Sequence, residues 1–117
     1  MYISNDHQKK EATDWFTSLR DQICTTFEKL EADYEGPKKS TPPGKFNQKC
    51  WSRDGGGGGV MSMMEGRLFE KVGVNVSTVM GIFSKEFGKE IAGAEDDPRF
   101  WASGISVVMH MKNPLIP

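Results

Sequence analysis

Trp15, Leu19, Ile23, Phe27, Leu30 and Tyr34 recur at separations of four and three, the spacing that gathers side chains along one side of an α-helix. The other side of that helix is rich in Lys, Glu and Asp. Such a helix needs a surface to cover, most simply the face of a sheet, and this requirement constrains the fold more than any other feature. Asn5 or Asp6 can cap its start. Gly36-Pro37 ends it, because proline disfavours helical geometry in the residue before it. The spacing therefore predicts a helix over 6–35 with its stripe from Trp15 to Leu30 buried, then a loop, PKKSTPPG, at 37–44.

The rest of the chain supplies the sheet. Strands are expected near 46–52, 59–65, 68–77 and 102–111. Val72, Val74 and Val76 fall at period two, the mark of a strand with one buried face, and Ile105, Val107, Met109 and Met111 alternate with Ser106, Val108 and His110. Strands so closely spaced pair antiparallel, with Glu65-Gly66-Arg67 as a hairpin turn. Residues 84–92 read as a short helix capped by Ser84 and weakened by Gly88, and Asp96-Asp97-Pro98 reads as a turn. The class is α+β, an antiparallel sheet flanked by helices, forming a single unit over 1–117 with helix at 6–35 and mainly sheet from 45 onward. A chain of 117 residues can bury one modest core and is too short for two ordinary domains.

Fifteen basic against sixteen acidic residues give a formal charge of −1, so no chain-wide cationic field draws in nucleic acid or a membrane surface. An anionic ligand has to be met locally. Cys24 and Cys50 lack CxxC spacing and read as reduced thiols rather than a disulfide framework. No apolar run approaches the roughly 20 residues of a membrane-spanning helix, and Asp6, Glu11 and Asp14 lie where a targeting peptide would be poor in acids. The expectation is a cytoplasmic protein, or a mitochondrial one from which a presequence has been removed.

Five consecutive glycines, Gly55 to Gly59, stand between Trp51-Ser-Arg and the apolar run Val60-Met-Ser-Met-Met. Read alone, such a run is a tether. It does not spell a phosphate-binding or dinucleotide loop. Its flanks, two strand candidates rich in Trp, Val and Met, point instead to backbone at positive φ or to an approach too close for a Cβ. Arg53 enters the run and is the leading candidate for anion contact, whereas Arg67 and Lys71 read as solvated charges. Ser106 and His110 lie four apart on one face of a strand, about 13 Å from each other, too far for a nucleophile and its base. His7 reads as solvated, and without clustered Cys, His or carboxylates a protein-built metal site is not expected.

Several blocks together resemble oxygen-dependent coproporphyrinogen III oxidase in order and spacing. They are Trp51-x-Arg53 followed by glycines, then Gly66-x-Leu68-Phe69-Glu70-Lys71-Val72-Gly73-Val74-Asn75-Val76-Ser77, then Gly104-Ile105-Ser106-Val107-Val108-x-His110 and Asn113-Pro114. The resemblance covers nearly the whole chain. It implies an enzyme of haem biosynthesis that oxidatively decarboxylates two propionates of coproporphyrinogen III to vinyl groups. Molecular oxygen is the oxidant, carbon dioxide and hydrogen peroxide are released, and no metal or organic cofactor is used. It also implies a large flat antiparallel sheet between helices and a homodimer.

Carried over by matching position, the resemblance implies that Ser106 binds substrate and that His110 is a residue sometimes given a metal role. Arg53 and the backbone of Gly56, Gly57 and Gly58 are candidate propionate contacts, with Asn75 a further candidate from the same blocks. The family's proton-donor histidine falls beyond Pro117, so the catalytic residues are unknown and the chain reads as an N-terminal portion, inactive alone. Met111 stands where the family has proline and Met80 where it has histidine, both of which weaken a histidine–metal reading. A non-catalytic anion-binding or dimerising β module is the alternative, and a second polypeptide supplying the remainder is another.

Overall fold

A computed structural model describes residues 6–116. Helix α1, Asp6–Asp33, precedes strands β1, Asn47–Ser52, β2, Gly57–Met64, and β3, Phe69–Ile82. A single-turn helix α2, Lys85–Gly88, leads into β4, Arg99–Met111. The strands form one antiparallel meander in the order β1-β2-β3-β4, so β1 and β4 are its edges. No helix among the described residues is long and apolar enough to cross a membrane.

The alternation in the sequence assigns the two faces of the sheet. Register pairs Met64 with Val72 and Val72 with Met109, then Val60 with Val76 and Val76 with Ile105, which places these residues on one face. That face carries the core: Met64, Phe69, Val72 and Val74 are buried, with Ile23, Cys24, Phe27, Phe46, Leu68, Ile105 and Met111 packed against them. Phe27 meets Phe69 edge to face at 5.1 Å.

The expected burial of the whole stripe from Trp15 to Leu30 does not hold. Ile23 and Phe27 pack on the core, but Trp15 is 56% and Leu30 46% exposed. Steps of four overshoot the helical turn, so at about 100° per residue Trp15 lies about 120° round the axis from Phe27. The face laid on the sheet is turned toward Arg20, Cys24 and Glu31, of which Glu31 is fully buried. The helix expected over 84–92 stops at Gly88, with Ser84 Oγ accepting the Phe87 N–H as its cap and Gly93 at φ +85° in the turns that follow. Pairing with β4 carries β3 to Ile82, five residues past the expected end at 77.

Glu31 locks the near end of this assembly. Its Oε1 accepts the N–H groups of Gly44 and Arg67 and its Oε2 those of Leu68 and Phe69, at 2.7–3.0 Å. Arg67 answers from the opposite side, donating to the carbonyls of Glu31 and Ala32 at the C-terminus of α1, where a cation complements the helix dipole, and to those of Lys39 and Thr41 in the loop that follows. Arg67 is therefore buried, contrary to the expectation of a solvated charge. Lys71 is exposed as expected. Burial pushes the Glu31 carboxyl up, but its four backbone donors outweigh that and hold it below the ordinary carboxylate value.

Candidate functional site

The opposite face of the sheet has no helix laid along it among the described residues. Its side chains follow from the same registers in three rows: Trp51, Gly59, Ser77 and Gly104; Lys49, Met61, Asn75 and Ser106; and Asn47, Met63, Gly73 and Val108. Lys71 and His110 make a further pair toward the clasped end. Polar groups, glycines and thioethers thus line a face on which Ser106, Val108 and His110 are exposed.

The glycine run makes this surface possible, and it is not a tether. Arg53 N–H donates to Gly57 O and Gly56 N–H to Arg53 O, closing the hairpin between β1 and β2. Gly55, Gly56 and Gly57 have φ of +95°, +134° and +94°, where side chains are strained. Gly59 does something else. A Cβ there would sit 2.3 Å from Val76 O and 2.8 Å from Trp51 Cζ2, so its absence lets the indole lie down on β2. In that position Trp51 Nε1–H donates to Asn75 Oδ1 at 3.0 Å, across an intervening strand.

The structure brings together some of the residues singled out in the sequence and separates others. Asn75 and Ser106 are register partners on this face. His110 shares the face four residues along β4 from Ser106. Arg53 stands at the far end, where its Nη1 donates to Gly56 O and Met80 O and its guanidinium lies 5.7 Å from the Phe100 ring. Phe100 is six residues from Ser106 along β4, about 20 Å at ~3.3 Å per residue. Phe83 stacks on Phe100 at 4.6 Å and Phe87 tilts against Phe83, which gives the far end an aromatic lip. The described residues hold no group of three or more His, Cys, Asp or Glu able to bind a metal, and both cysteines are free.

Trp51 was visible in the sequence only as part of a motif. Its role depends on Gly59, eight residues on, and Asn75, twenty-four residues on, and only the strand register joins them. The pairing of a bulky indole with a glycine across a tight hairpin was the available signal.

The family model described as coproporphyrinogen III oxidase matches residues 11–117. The chain belongs to the coproporphyrinogen III oxidase family. It is 57% identical over 113 residues, 97% of its length, to the oxygen-dependent coproporphyrinogen-III oxidase of Rickettsia bellii (strain RML369-C), and covers 40% of that protein. The protein of the same name from Rickettsia felis is 57% identical over 109 residues, 93% of this chain and 39% of the relative. That from Rickettsia typhi (strain ATCC VR-144 / Wilmington) is 55% identical over 113 residues, 97% of this chain and 40% of the relative. The chain thus spans about 40% of the length of the curated relatives it matches.

Proposed function

We propose that this chain supplies one wall of the substrate site of an oxygen-dependent coproporphyrinogen III oxidase. Family membership supports the chemistry, and the observation that carries the placement is the uncovered face on which Asn75 and Ser106 stand side by side. For each of two propionates, the Cα–carboxyl bond breaks to release carbon dioxide and the neighbouring carbon beside the pyrrole gives up a hydride equivalent. A vinyl group remains, and oxygen takes up two electrons and two protons to leave as hydrogen peroxide.

In this reading Ser106 and Asn75 hold a propionate by hydrogen bonds and Arg53 meets a charge at the far end of the face. The hairpin of Gly56, Gly57 and Gly58 keeps the backbone low there. His110, exposed on the same face, is given no chemical step in this reading. Molecular oxygen is the oxidant and no further cofactor is invoked. The 117 residues alone do not complete turnover, because they correspond to 40% of the relatives' length. The homodimer and the cytoplasmic location implied by the family resemblance belong to the same proposal.

The test joins residues 1–117 to the remaining length of the Rickettsia bellii relative and measures oxygen uptake with coproporphyrinogen III. Turnover is expected in the folded chimera, and Ser106→Ala in it should raise the Michaelis constant with little loss of stability. A folded chimera without turnover, or one in which Ser106→Ala leaves kinetics unchanged while His110→Ala abolishes them, contradicts the reading.

A further inference from the structure

An indole N–H can only donate, so the 3.0 Å bond between Trp51 Nε1 and Asn75 must engage the amide oxygen of Asn75 rather than its nitrogen. The side-chain amide is therefore turned one way, and its NH₂ group, two donors and no acceptor, is directed away from Trp51. Across the strand pair on that side stands Ser106, its register partner. Asn75 is half-buried and Ser106 exposed, so the NH₂ lies at a surface open to a ligand. The arrangement is built from a distance: the indole reaches Asn75 only by lying over Gly59, where any Cβ would meet its ring. A strand glycine costs stability, and here it admits one specific donor.

We infer that Trp51 is a positioning residue that fixes the Asn75 amide as a donor to a carboxylate of the ligand bound beside Ser106. This rests on the reading that the uncovered face takes the tetracarboxylate macrocycle. The donor pair suits a carboxylate and not an ammonium or a guanidinium, because the Asn75 oxygen is turned toward Trp51 and the group left facing away from it can only donate. A flipped amide would present its oxygen to the carboxylate and repel it.

Coproporphyrin III, the coloured oxidised form of the macrocycle with the same four carboxylates, serves as probe for the chimera described above, with binding read from the shift of its main absorbance band. Trp51→Phe keeps an aromatic ring but removes the N–H together with the fused five-membered ring, and each variant is first checked for a wild-type thermal transition. Both Trp51→Phe and Asn75→Ala are expected to weaken binding about tenfold or more, the worth of a hydrogen bond to a charged group. The double variant should bind no more weakly than Asn75→Ala alone, since Trp51 acts through Asn75. In the unliganded chain, Trp51→Phe should also shift the Asn75 side-chain amide resonances. Unchanged affinity in Trp51→Phe, or full additivity in the double variant, overturns the inference while the proposed site stands if Ser106→Ala still weakens binding. A folded chimera of residues 1–117 with the remaining length of the Rickettsia bellii relative that does not bind the probe overturns both.

Discussion

The two ends of the Asn75–Glu31 span use polar groups in opposite ways. At the clasp, Glu31 spends both carboxylate oxygens on four backbone donors and Arg67 caps four carbonyls, all within the protein and with both side chains buried. On the uncovered face, Asn75 spends its oxygen on Trp51 and keeps its NH₂ turned to a half-open surface beside an exposed Ser106. Satisfied buried polar groups hold a fold together, whereas oriented groups at an open surface are available to a ligand. The first region is a joint and the second a candidate site.

Breaking the joint should do the most damage. Glu31→Ala leaves four donors without their acceptor, and at about 1–3 kcal/mol for each buried group the loss exceeds ~4 kcal/mol. That approaches the whole stability of a small domain, so the variant should show no cooperative thermal transition. A melting temperature within a few degrees of wild type would remove the clasp from the account. Gly66→Ala is the next most severe, because its Cβ would fall 2.3 Å from the Glu31 carboxylate, which is tied on every side. Overpacking of this kind costs about 1–3 kcal/mol, measured by denaturant unfolding.

Acid sharpens the contrast. The folded-state pKa of Glu31 lies below its ordinary value, so its ionised form favours the folded chain. That contribution is fully present above pH about 4.5 and is lost as pH falls through the folded-state pKa. Glu31→Gln should lower stability near neutral pH and flatten its decline in acid. An equally steep decline in the variant would assign acid lability elsewhere.

The site should respond differently. Gly59→Ala drives a Cβ into the Trp51 ring and Val76 O, costing about 1–3 kcal/mol and shifting the tryptophan emission. Asn75→Ala should be the mildest for the fold, within about 1 kcal/mol of wild type by thermal melting, because one part-buried hydrogen bond is lost. If Asn75→Ala destabilises as strongly as Gly66→Ala, the uncovered face is a structural element and the distinction collapses.

Local pattern made much of this architecture legible. The Val72-Val74-Val76 alternation placed β3, and the alternation around Ser106 assigned the faces of β4. The two blocks containing Asn75 and Ser106 named candidate site residues, and the register sets these two side by side. What escaped was carried by distant partners. Glu31 looked like one more charge on the wet side of a helix, yet its four donors lie 13 to 38 residues away. Arg67 looked like a turn residue, but the end of α1 that it caps is 35 and 36 residues earlier. Trp15 and Leu30 misled in the other direction, since a polar group can be drawn to the sheet by hydrogen bonds that no hydrophobic spacing reveals.

The distinction between joint and site can be measured in one experiment, by titrating coproporphyrin III into the isotopically labelled chain and following every amide and indole resonance. The account predicts that the Asn75 and Ser106 amides, the Asn75 side-chain NH₂ and the Trp51 indole N–H move together with saturation, while the amides of Arg67, Leu68 and Phe69, bonded to Glu31, stay in place. Shifts centred on those three amides and on the outer side of α1, with Asn75 and Ser106 unmoved, would contradict it.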